Sequence, residues 1–286
     1  MAGGGRFRED TGLDWNFHIR SIDSNGKGSG GKTAVGAFRA LKANDWPSSR
    51  GKGVDLMEIP LSLLETGEKY AFEIPEINFS TQLPYVLLPA AGGSMKIASL
   101  NLVGMSEWNR IFGCAMAEKI RETIPDLEGV VFLTAVEKAL QLSQVVCQEL
   151  GLPMMAVAYN RRKPHMEIGT GRNRPFIQVG GGSVTSGDKY LVIYERDFNL
   201  LCAAKRGVII IDDVISTGGT IAALATILDE IVERKGLEKE VLKILGIFCV
   251  AREGAMKPLY KGLSYKIHWL GTLPAPEFLS DPPAGG

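Results

Sequence analysis

Cysteine is scarce. Four residues, Cys114, Cys147, Cys202 and Cys249, stand far apart in 286, each among apolar neighbours. No pair has metal-ligand spacing, so a zinc site or a disulfide framework is not indicated. Buried free thiols in a reducing cytoplasm are expected. An excess of one charge is missing too. Lysine plus arginine and aspartate plus glutamate number 32 each, which argues against a general nucleic-acid or membrane surface. No apolar run approaches the ~20 residues that span a membrane. The opening MAGGGRFREDTG has no signal-peptide core, and no internal repeat is visible. Apolar residues make up 45% of the chain, enough for a full core.

Residues 1–55 read as a partly flexible extension rich in Gly, Ser, Lys and Arg, and residues 56–286 as the folded domain. Two strands joined by a Gly-Gly turn are expected within 83–102. A helix follows over 106–124, with Ser106 as its cap and Pro125 as its stop. Two βαβ units come next. One has strand 130–133, helix 138–150 and strand 154–158. The other has strand 208–211, helix 221–235 and strand 241–250. Continuous apolar strands alternating with amphipathic helices predict an α/β fold, a parallel sheet with helices on both faces. The polar, glycine-rich stretch 160–188 is too long for a simple connector and reads as a mobile cationic lid.

The sharpest motif is VIIIDDVISTGGT, residues 208–220. An apolar strand ends in Asp212 and Asp213, and a Ser-Thr-Gly-Gly-Thr loop leads into a helix. Paired carboxylates suit vicinal hydroxyls, which are donors. The loop's N–H groups, its hydroxyls and the helix dipole suit a phosphate. Together they suit a ribose phosphate. The plainer alternative is a strand followed by a helix that Asp213 or Thr217 merely caps. A second motif competes. GKGSGGKT, residues 26–33, fits the P-loop pattern with Lys32 as its lysine. A working P-loop follows a buried apolar strand, and WNFHIRSIDSN before it alternates polar and apolar residues. A basic Gly/Ser loop accounts for it better. His165 fits a phosphate contact or a solvated loop histidine. His268 and Trp269 read as a strand with a packed indole. Trp108 reads as core, with stacking on a base as the alternative.

The 208–220 motif resembles the phosphoribosyl-pyrophosphate (PRPP) motif of type I phosphoribosyltransferases. LPYVLLPAAGGSMKIASLNLVG, EKALQLSQVVCQELGLP, RRKPHM and SVTSGDKYLVIYERDFNLL resemble the adenine-phosphoribosyltransferase-like branch, in that order, over about 68–274. The resemblance implies that family's parallel sheet with a small hood. It also implies transfer of the 5-phosphoribosyl group of PRPP to a nitrogen of a purine-like base, with pyrophosphate released, in salvage or in specialised biosynthesis. Asp212 and Asp213 would hold the ribose hydroxyls and reach Mg²⁺ indirectly, through PRPP. Val214, Ser216, Thr217, Gly218, Gly219 and Thr220 would bind the 5′-phosphate. Thr134 and Lys138, in the turn 134–138, would face pyrophosphate. Ser99 and Asn101 would face the base, and Glu167 would act as base or cation stabiliser. The resemblance further implies a homodimer in the cytoplasm. It departs at Ala135-Val136, where relatives carry Pro-Glu, and at Tyr159-Asn160, where they carry Arg-Lys. Arg161, Arg162 and Lys163 are the nearby cations that could compensate. Two rival functions remain: a PRPP-sensing regulator that keeps the fold without catalysis, and a P-loop kinase.

Overall fold

A computed structural model describes residues 65–163, 177–183, 187–254 and 266–280. The expectations for the 1–55 extension, for Lys32 and for His165 and Glu167 lie outside those residues. At the centre are β4 (Val130–Ala135) and β8 (Gly207–Ile215), apolar runs buried along almost their whole length. Such strands settle only inside a sheet that is covered on each face. With β5 (Ala156–Ala158), β9 (Ile244–Glu253) and β10 (Ile267–Leu273) they form a parallel sheet in the order β10-β9-β8-β4-β5.

Alternate strand residues feed two different cores. Val131, Leu133, Val208, Ile210, Ile247 and Cys249 share one with Phe198 and Leu201 of α3 (Glu195–Cys202) and Leu224, Ile227 and Leu228 of α4 (Gly219–Lys235). Val130, Phe132, Ile209, Ile211, Phe248 and Val250 share the other with Phe112, Met116 and Ile120 of α1 (Ser106–Thr123) and Leu142 and Val146 of α2 (Leu140–Glu149). Helices therefore cover both faces, as the sequence led one to expect. Burying each large aliphatic side chain stabilises the fold by about 1.5–3 kcal/mol, and the central strands present them to both sides.

The connections place the site. From β4 the chain passes through α2, on one face, to β5. From β8 it passes through α4, on the other face, to β9. The two neighbours part in opposite directions, which opens a crevice at their carboxyl ends.

A second, antiparallel sheet supplies the expected hood. Its strands are β1 (Glu65–Ile74), β2 (Phe79–Ala90), β3 (Gly93–Ala98) and β11 (Glu277–Ser280), in the order β1-β2-β3-β11. It approaches β10 closely at Gly271, where an added Cβ would lie 2.6 Å from the Phe72 ring and 3.1 Å from Ile74.

Several expectations are corrected. Asp212 and Asp213 lie within β8, not at its end, because pairing with β9 continues to Ile215. Thr134 and Ala135 belong to β4, paired with Val157 and Ala158, so the turn starts at Val136. Met105, not Ser106, precedes α1. That entry is tied by Asn109, whose Nδ2 donates to the carbonyls of Leu102 and Met105 at 2.6 and 2.9 Å. The stretch 160–188 is not one open loop, since β6 (Ile177–Ser183) pairs antiparallel with β7 (Gly187–Ile193). All four cysteines are free, but only Cys147 and Cys249 are buried; Cys114 and Cys202 are half-buried. No helix among the described residues is long and apolar enough to cross a membrane.

Candidate active site

The crevice between the ends of β4 and β8 is a cleft of about 370 Å³. One wall is the end of β8 and its loop, with Asp212, Asp213, Val214, Ser216, Thr217, Gly218, Gly219 and Thr220. Another is the turn after β4, with Val136, Glu137 and Lys138. The hood contributes Leu88, Met95 and Ile97, with Ser99 just after β3, and Asn160, Glu253, Leu273 and Pro276 also line the cleft. The topology thus gathers into one cavity the acids, the loop and the lysine that the sequence singled out.

Asp212 and Asp213 are 9% and 6% exposed. Burial, and then the neighbouring Asp213 carboxylate, hold the Asp212 carboxyl well above the usual range, with Lys138 pulling the other way. Asp212 Oδ1 accepts the Asp213 backbone N–H at 3.0 Å. Asp213 Oδ2 is buried and meets no hydrogen-bond partner. A ligand carrying hydroxyl donors would satisfy it, whereas an anion would not.

The loop after β8 turns at Gly218, whose φ of +78° favours glycine. α4 begins at Gly219 with no side-chain cap. The plainer reading, with Asp213 or Thr217 as cap, is therefore set aside. No side-chain cap bonds the first N–H groups of this 17-residue helix, so they are open to water or to an anion, which the helix dipole favours.

Other candidate residues sit elsewhere. Thr134 is 1% exposed, and its hydroxyl donates to the Ile211 carbonyl at 2.9 Å, bracing β4 against β8. Ala135, Val136, Glu137 and Lys138, which follow it in the chain, line the cleft instead. Asn101 is exposed, and its Oδ1 accepts the Val103 N–H at 3.2 Å. Arg161 and Arg162 are exposed and Lys163 is half-buried; none of them, nor Asn101, lines the cleft. Trp108 packs edge-on against Phe79 at 5.9 Å in the hood-side core. His268 stacks on Phe248 at 4.7 Å, and Trp269 lies 5.0 Å from the Arg252 guanidinium. All three take the packing roles expected of them.

Sequence reasoning missed Glu137 and Glu253. Burial pushes the Glu253 carboxyl up, while the Ser216 hydroxyl and Lys138 favour its charged form. Its signal was an acid closing an apolar parallel strand, β9, beside the strand that carries Asp212 and Asp213. Among the described residues, no three of His, Cys, Asp and Glu gather closely enough to cage a metal. An acid pair alone fits a Mg²⁺ that keeps its waters and takes its other ligands from a bound phosphate.

No family model and no curated protein matches this chain. Among solved structures it is similar to adenine phosphoribosyltransferase from Thermoanaerobacter pseudethanolicus, at 17% identity and a TM-score of 0.42, over 66% of this chain and 95% of that one. It is similar to the Saccharomyces cerevisiae adenine phosphoribosyltransferase complexed with an imino-altritol bisphosphate and adenine, at 18% identity and a TM-score of 0.40, over 59% and 82%. A hypothetical protein from Neisseria gonorrhoeae with bound ppGpp is also similar, at 12% identity and a TM-score of 0.37, over 59% and 80%.

Proposed function

We propose that this chain is a phosphoribosyltransferase of the type I kind, transferring the 5-phosphoribosyl group of PRPP to a ring nitrogen of a purine-like base. The observation that carries this is one cleft, at the switch point of a parallel sheet, that joins buried Asp212 and Asp213 to the uncapped loop of α4. The acids accept the ribose hydroxyls and the loop takes the 5′-phosphate. Lys138 faces the diphosphate from the turn after β4. Mg²⁺ bound to the diphosphate supplies neutralisation of leaving charge.

The chain's own groups position the donor and stabilise charge. The sugar is oxocarbenium-like between leaving group and base, and no side chain need attack it. Buried carboxylates beside the ribose favour a cationic sugar. Leu88, Met95 and Ile97 give the base an apolar floor, and Ser99 is the nearby polar residue in the same stretch of the cleft lining. The hood wall keeps water, the competing nucleophile, from the sugar.

The test is a panel of purine and related bases incubated with Mg·PRPP, reading pyrophosphate. Base-dependent release is expected, and it should disappear in Asp212→Asn/Asp213→Asn. PRPP binding without release for any base would favour the regulator instead.

A further inference from the structure

Glu253 has no part in the transfer as described, yet it stands in the cleft wall. It ends β9, and the chain turns immediately after it. Gly254, with φ +68°, donates its N–H to the Leu273 carbonyl at 3.0 Å, and an added Cβ there would lie 3.2 Å from Ala275. Ile215 of β8 pairs with Arg252 of β9, so Ser216 and Glu253, the residues that follow them, stand side by side in the cleft lining, with Lys138 in the same lining. The Ser216 hydroxyl and Lys138 both favour the charged form of the Glu253 carboxyl. An acid is the wrong neighbour for an anion-binding loop, unless the acid can change its charge.

The hydrogen count at Ser216 makes the conflict concrete. Its hydroxyl has one hydrogen to donate. An ionised carboxylate only accepts, and so does a phosphate dianion. Ser216 therefore serves Glu253 or the phosphate, not both. When Glu253 is protonated the conflict ends: the carboxyl donates to Ser216 Oγ, and Ser216 donates to the phosphate.

We propose that Glu253 is a positioning residue that couples phosphate binding to proton uptake. A phosphate monoester dianion entering the 216–220 loop takes Ser216 away from the Glu253 carboxylate and draws one proton from solvent onto it. The inference rests on the proposed role of that loop as the 5′-phosphate site. Burial already favours the protonated carboxyl, and Ser216 and Lys138 are what oppose it. An incoming dianion removes the first, shares the second and adds a like charge. Other charged groups facing the cleft are Glu137, beside Lys138, and Asp212 and Asp213 on β8. Arg252, on Glu253's own strand, lies over Trp269 of β10. The nearby lining residues Leu273 and Pro276 carry no charge.

Calorimetric titration with ribose 5-phosphate, in buffers of different ionisation heat, counts the protons taken up. The ligand's own titration is common to all variants, so the difference between wild type and Glu253→Gln isolates Glu253. Wild type should take up more protons than Glu253→Gln at some pH between about 5 and 8. Glu253→Gln should bind about tenfold more tightly than wild type at pH 8, with the gap closing towards pH 5, since one pKa unit corresponds to a factor of ten. Ser216→Ala, an independent variant that removes the shared hydrogen, should bind more weakly and take up fewer protons than wild type. Equal proton counts in wild type and Glu253→Gln, or in wild type and Ser216→Ala, would overturn the coupling and leave the phosphate site standing. Failure of wild type to bind ribose 5-phosphate would overturn the phosphate site and the coupling with it.

Discussion

Asp212 shows the tension between stability and binding in one side chain. It is buried beside a second acid, and burial is the first cause holding its carboxyl above the usual range. An unfolded aspartate titrates near ~3.9. The native state therefore keeps this proton to higher pH than the unfolded chain does. The associated stability is fully present below the unfolded value and is lost as pH rises through the native one. Asp212→Asn removes that charge while keeping the shape. In the ligand-free protein its melting temperature should exceed that of wild type at pH 8, with the gap closing towards pH 4. A chain of this size shifts by roughly 2–4 °C per kcal/mol. Thermal melts of both proteins across that range check it; parallel curves would mean that Asp212 sheds its charge cost some other way. The same substitution should weaken PRPP binding, so stability and function would move in opposite directions.

At the scale of elements, two glycines connect sequence to site. Gly218 allows the tight turn into α4 at φ +78°, and Gly271 lets β10 lie against β1. Phe72 is fully buried and cannot swing aside. Gly271→Ala should therefore lower stability by about 1–3 kcal/mol through overpacking, measurable by urea unfolding. An unchanged midpoint would mean that the hood shifts freely. How much could be read in advance follows from the same physics. β8, α4 and the cleft's acidic wall were legible because an apolar run, two acids and a glycine loop leave few alternatives. The far end of β8 was not, since acids seldom continue a buried strand and only pairing with β9 keeps Asp212 and Asp213 inside it. β6 was hidden by three consecutive glycines, a residue depleted in strands. Thr134 was legible as a residue near the site, but not its tie to Ile211, because a partner 77 residues away leaves no local trace.

At the scale of the molecule, among the described residues two cores lock five parallel strands and a hood around the crevice, and the groups lining it come from residues 88–276. A chain lacking residues 1–50 should accordingly still fold and bind Mg·PRPP with wild-type affinity, and Lys32→Ala in the full chain should change nothing. Loss of binding in either would favour the P-loop reading. The central claim is that Asp212 and Asp213 hold the ribose of PRPP, and calorimetry of Mg·PRPP against wild type and Asp212→Asn/Asp213→Asn tests it most directly. Each charge-assisted hydrogen bond is worth about 1.5–3 kcal/mol, so the double variant should bind at least about a hundredfold more weakly while remaining folded. Equal affinity in the two proteins would contradict the account.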